Sequence, residues 1–223
     1  MFLPNPGILA AGTMNSPVGQ QLFASWDMTA SFVVPPNVTT ICVVAIGVGG
    51  SAYEAGEGGS LVCQPGGDLR YFNNIPVVPG ETLQVVINEQ ATRLVRGSTN
   101  IIHAGSAGRN RASNIGFGFN GGEGWTGGDK YWGNIRGGGA GGYTSAGENG
   151  SHMANDSRGG GGTSPFGGGP GAASGASSTP NGLDYGGGAG YEFLDGFGWG
   201  GKGCVRIIWG EGRAFPNTNT GDL

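Results

Sequence analysis

The chain has 223 residues, 52 of them glycine, with only 12 % charged residues and a formal net charge of −4. That acidic balance gives no electrostatic footprint for nucleic acid, and no basic run suits an anionic lipid surface. No apolar stretch approaches the ~18 residues of a membrane-spanning helix, and low charge with 9 % aromatics argues against a self-repelling disordered chain.

The N-terminus, "MFLPNPGILAAGTMNSP", carries two early prolines and no Lys or Arg before its short apolar patch. It does not read as a secretory signal, so synthesis and assembly in a cytoplasm are expected. Residues 1–30 lack a helical period and predict an extended attachment arm. Cys42, Cys63 and Cys204 make an odd count that describes no disulfide framework. Neither they nor His103 and His152 show metal-ligand spacing, so no metal and no cofactor are expected.

From "SFVVPPNVTTICVVAIGVGG" onward the pattern is β. Phe32–Val34 and Val38–Val48 are β-branched runs separated by a turn at Pro35-Pro36-Asn37. Pro79-Gly80 marks another turn, and Leu83–Asn88 reads as a strand. "TRLVRG" and "TNIIHAG" add two short strands around Gly97-Ser98. No helix is predicted. "GCVRIIWGEG" ends the pattern with a strong strand over Cys204–Trp209, which is expected to return to the N-terminal sheet. The predicted fold is all-β plus irregular structure. Residues 31–115 with 203–212 form a β-sandwich-like domain, 116–202 form a glycine-rich insertion, and 213–223 form an extended tail.

The insertion is a poor flexible linker, because such linkers are aromatic-poor and this one carries Trp and Tyr throughout. Glycine runs recur in it: "RGGGAGG", "RGGGGTS", "FGGGPGA" and "YGGGAGY". Tracts of this kind can form polyglycine-II-type helices of three residues per turn. Packed side by side, such helices pair their backbone polar groups with neighbours. The scaffold glycines are Gly137, Gly138, Gly139, Gly159, Gly160, Gly161, Gly167, Gly168, Gly169, Gly186, Gly187 and Gly188. The intervening segments are expected to be loops. Their Trp125, Asp129, Lys130, Tyr131, Trp132, Tyr143, His152, Tyr185 and Tyr191 are the candidate binding residues, since interfaces favour Trp and Tyr. Phe197 and Trp199 adjoin the closing strand and are assigned to structure.

Two glycine motifs carry no weight. Gly116–Gly121 matches G-x-G-x-x-G but "GEGWTGGDKYWG" cannot supply the helix that must follow. "GFGWGGKG" lacks the Ser/Thr after Lys202 and runs into a strand. The acids Glu123, Asp129, Glu148, Asp156, Asp184, Glu192 and Asp195 are scattered, and read as loop charges in place of a glycosidase pair.

The stretches "FVVPPNVTTICVVAIGVGG", "LRYFNNIPVVPGETLQVVI" and "GCVRIIWGEGRAFPNTNT", with the glycine tracts, resemble the glycine-rich domain of bacteriophage tail-fibre and tail-tip proteins. The matching positions are Phe32–Val38, Asn73–Thr82 and Val205–Pro216. The glycine half is similar in style to the distal adhesins of T-even phage tail fibres, from which it departs in having a bracketing β-domain. The resemblance implies a non-enzymatic virion structural protein located in the tail. Its partners would be other virion proteins and a host outer-surface receptor, protein or glycan, with no nucleic acid and no membrane insertion. It also implies a homo-oligomer, with a trimer the fibre-like option. The alternative is a purely architectural capsid-decoration or tail-adaptor role.

Overall fold

The computed structural model describes residues 17–55, 60–126, 137–150, 181–192 and 196–223. Twelve strands run in chain order: β1 Gly19–Ser25, β2 Met28–Val33, β3 Thr40–Ile46, β4 Tyr53–Ala55, β5 Ser60–Val62, β6 Leu69–Pro76, β7 Thr82–Ile87, β8 Ala91–Arg96, β9 Thr99–Gly105, β10 Tyr191–Glu192, β11 Gly196–Phe197 and β12 Gly203–Trp209. Among the described residues the single helical element is a 3-10 turn at Arg111–Ser113.

Two four-stranded antiparallel sheets dominate, ordered β1-β12-β3-β6 and β2-β7-β8-β9. β12 is an inner strand, with Val205 opposite both Phe23 and Ala45. The closing strand therefore returns to the N-terminal sheet as expected. The predicted turns are present too. Asn37 takes a left-handed φ of 66° and Val38 N donates to Pro35 O at 3.2 Å. Gly80 takes φ 83° where Glu81 N donates to Val78 O at 2.9 Å, the position at which such a turn requires glycine.

The two sheets share one apolar core. Phe23, Val43, Ala45, Val205 and Ile207 of the first meet Phe32, Leu83, Val85, Ile87, Leu94 and Ile102 of the second. Each of these side chains larger than alanine, fully buried, is worth about 1.5–3 kcal/mol. β7 alternates buried and solvent-facing residues, as one wet face requires. β3 and β12 do not alternate, because the first sheet is covered on both sides. Its second face, with Cys42, Val44, Ile46, Leu69, Cys204 and Ile208, packs under Ala140, Tyr143 and Phe215.

The outer layer on that face is built of glycine-rich backbone. A β-strand directs its hydrogen bonds to two sides and so has two neighbours at most. The 137–142 tract bonds to four. Gly138 N donates to Gln64 O (3.1 Å) and Gly141 N to Gly67 O (2.9 Å). Gly122 N and Gly188 N donate to Gly139 O (2.8 Å) and Gly138 O (2.9 Å), while Gly139 N donates to Glu148 O (2.9 Å). Close approach excludes side chains there: a Cβ on Gly138 would run into the Gly122 carbonyl, and one on Gly66 into that of Gly139.

Three expected boundaries are corrected. The arm to residue 30 is not all arm, since Gln21, Phe23 and their neighbours pair with β12. The glycine layer is not confined to 116–202, since the stretches after β3 and β5 enter it; Gly49 N donates to Gly201 O (3.0 Å) and Gly50 N to Pro65 O (3.1 Å). The 213–223 segment is not an extended tail. Arg213, Phe215 and Thr220 are buried, and Arg213 donates to Gly19 O (2.6 Å), Asn219 O (2.7 Å) and Gly221 O (2.7 Å). Its polar sequence hides a fold-back driven by burying Phe215 against the first sheet.

Candidate functional site

Of the expected receptor-binding residues, Asp129, Lys130, Tyr131, Trp132 and His152 lie outside the described residues, as do scaffold glycines 159–161 and 167–169. Tyr191 lies on β10, paired with Phe197 on β11. Trp125 is half-buried against Ala52, Cys63 and Ala189. Tyr185 is half-buried against the second face of the first sheet, with a left-handed φ of 71°. Tyr143 is a correction. Only 5 % exposed, it packs edge-on to Tyr71 (5.3 Å between centroids) and stacks on Phe215 (6.2 Å). Burial pushes its phenol far above the ordinary tyrosine range, and its hydroxyl has no hydrogen-bond partner. That ring belongs to the core.

The structure gathers other rings. A cleft of about 840 Å³ opens where the β1–β2 turn, the stretch after β3 and the segments around Asn181 and Gly200 meet. Trp26, Tyr53 and Trp199 line it and are 53, 51 and 71 % exposed. Rings this exposed contribute little to the fold, so the assignment of Trp199 to structure is corrected as well.

The Trp26 ring is held from behind. Trp26 donates its indole N–H to Gly200 O at 2.7 Å, and Lys202 Nζ sits 4.8 Å from the centre of its ring. Such a cation over an indole contributes on the order of 0.5–1 kcal/mol at an exposed site. Lys202 is placed by Asp184 at 3.4 Å. Trp199 is fixed through its backbone, where its N–H donates to Asn181 Oδ1 (2.8 Å) and its carbonyl accepts from Gly182 N (2.7 Å). Gly200 N donates to Ser51 Oγ at 3.2 Å. Glu89 is the one carboxylate among the lining residues, and it pairs with Arg109 at 3.5 Å on the rim. Hydrolysis by two carboxylates needs a second acid across the cleft, and among the described lining residues Glu89 stands alone.

A second polar centre joins the layers from inside. Asp68, wholly buried, accepts from Gly121 N (2.8 Å), Asn114 Nδ2 (2.7 Å) and Arg111 Nε (3.2 Å). Arg111 also pairs with Glu123. His103 is buried nearby with its Nδ1 unpartnered; burial and then Arg93 push its pKa below the ordinary value, against an opposing hydrogen bond to Asn114. Every strong acceptor of Asp68 is used, so this is a joint and not an open site.

The cleft was invisible in the sequence because its rings come from distant segments, and Trp26 and Tyr53 stand singly among polar neighbours. The one signal is that Trp199 is flanked by glycine on both sides in "GWGG". No protein-family model matches this chain, and no curated protein matches it.

Proposed function

We propose that the chain is a non-enzymatic recognition protein of a bacteriophage virion, at the tail fibre or tail tip, that engages a receptor on the host surface. In this reading the two sheets form a sandwich, and the glycine tracts pack over it as polyglycine-II-type helices. The four-neighbour bonding of the 137–142 tract supports the helices, since three-fold symmetry points backbone groups in more than two directions. Other virion proteins are its assembly partners, and copies on one particle would raise a weak single-site affinity through avidity.

The observation that carries this reading is the set of three exposed aromatic rings around a cleft walled by glycine backbone. Rigid backing lowers the entropy cost of binding, and Tyr and Trp offer large contact areas with few rotatable bonds. The test is retention of fluorescently labelled protein on a panel of bacterial strains, native against a Tyr53→Ala/Trp199→Ala double variant of unchanged melting temperature. Retention on a subset of strains that the variant loses is expected. No retention on any strain overturns recognition and leaves the architectural role, with these rings covered by virion neighbours.

A further inference from the structure

We infer that the cleft takes a neutral oligosaccharide, an assignment that rests on the recognition reading and deepens it. A pyranose presents a face of C–H bonds, weakly positive and apolar, ringed by hydroxyls. The negative π-face of an aromatic ring complements the first, and groups that both donate and accept complement the second. The cleft has both. Trp26, Tyr53 and Trp199 supply rings; Gln64 supplies an amide that donates and accepts, and Ser51 and Asn181, whose oxygens take Gly200 N and Trp199 N, keep an O–H and an N–H to donate.

Charge selects against acidic glycans. Glu89 and Arg109 neutralise one another at 3.5 Å, and Lys202 is held between Asp184 and the Trp26 ring. No unpaired cation among the lining residues is left for a uronate, sulfate or phosphate. Size selects an oligomer. About 840 Å³ falls in the upper part of the ~300–1,000 Å³ span of small-molecule sites, more than one sugar ring fills. A folded protein partner is disfavoured by shape, because a stable protein interface spreads over roughly 800 Å² per side, whereas these rings face a concave opening.

The anchoring of Trp26 sharpens the assignment. Trp26 cannot swing without losing its bond to Gly200 O, and Trp199 is tied through Asn181. The Trp26 platform therefore precedes the ligand, and the backbone that carries the Trp199 ring is fixed beside it.

The test is saturation-transfer NMR with maltotetraose, cellotetraose, mannotetraose and tetra-N-acetylchitotetraose, against tetragalacturonate as an anionic probe of equal length. Transfer to the ring C–H protons of at least one neutral probe, and weaker transfer to tetragalacturonate, is expected. Trp199→Ala and Tyr53→Ala each lower the affinity at least tenfold, while Val33→Ala, on an exposed β2 position outside the cleft, leaves it unchanged. No transfer from any neutral probe, or equal transfer in both cleft variants, overturns the assignment. Cell retention separates this failure from failure of the recognition reading. Retention abolished by protease treatment of the cells, and untouched by periodate, sinks the glycan and keeps recognition. Sugar binding without retention on any strain does the reverse.

Discussion

The Gly121 amide donates to the Asp68 carboxylate at 2.8 Å, and this bond ties the glycine layer to the first sheet. The same carboxylate faces Arg111 at 3.2 Å from a wholly buried position. Removing the carboxylate leaves Gly121 N and Asn114 Nδ2 without this acceptor, at about 1–3 kcal/mol each, while Arg111 keeps Glu123. Asp68→Ala is expected to lower the melting temperature by more than ~6 °C. A shift within 2 °C in scanning calorimetry would show that the joint carries no such role.

Close packing of backbone gives a sharper contrast. Gly138→Ala drives a methyl group into the Gly122 carbonyl, whereas Gly221→Ala meets nothing within 4 Å. The first is expected to exceed the ~1–3 kcal/mol of ordinary overpacking, with loss of soluble protein or a much lower unfolding midpoint. The second stays within ~0.5 kcal/mol. Equal urea midpoints for the two variants would contradict the packed layer.

The cleft rings divide between binding and stability. Trp199→Ala removes an exposed ring and is expected to change stability by less than ~0.5 kcal/mol. Trp26→Phe keeps a ring but loses the N–H to Gly200 O, for about 1 kcal/mol. Urea titrations of both variants check the order; a larger loss for Trp199→Ala would mean that its ring packs in solution.

Stability is expected to be greatest between about pH 6.5 and 9, the ordinary values of His and Cys given for His103 and Cys204. His103 has a lowered pKa, from burial first and then Arg93, so its contribution is present above about 6.5 and is lost as pH falls. Cys204 is pushed up to about 12 by burial, so its contribution is present below about 9 and is lost as pH rises toward 12. Each limb has a limiting slope of about 1.4 kcal/mol per pH unit per group. His103→Gln should flatten the acid limb near pH 6. An unchanged profile in urea titrations from pH 5.5 to 7 would remove His103 from the account.

The sequence made the inner strands readable and the edges obscure. "TICVVAI" and "GCVRIIW" are apolar without a break because both faces of the first sheet are covered, so β3 and β12 stand out. β1 is an edge strand whose Gln20, Gln21 and exposed Leu22 dilute its pattern, and it reads as arm. Tyr143 and Trp199 exchanged roles for a related reason. Thr144 and Ser145 make Tyr143 look like a loop tip, yet Tyr71 and Phe215 close over it from remote parts of the chain. Trp199, four residues before a buried strand, looks anchored and is instead the most exposed of the cleft rings. Local composition sets a side chain's polarity context, and only the fold sets which distant surface it meets.

The inner position of β12 has a consequence for biosynthesis. β1 and β3 flank it on either side, so the first sheet has a vacant central slot until Cys204–Ile208 leave the ribosome. Through the translation of the whole glycine-rich stretch the nascent chain exposes two strand edges and half of a shared core, a state open to aggregation. The glycine tracts pass through that interval without apolar runs of their own to misdock. Folding of the sheet is thereby deferred until β12 has been translated, and a ribosome stalled before β12 would hold a chain that cannot yet close.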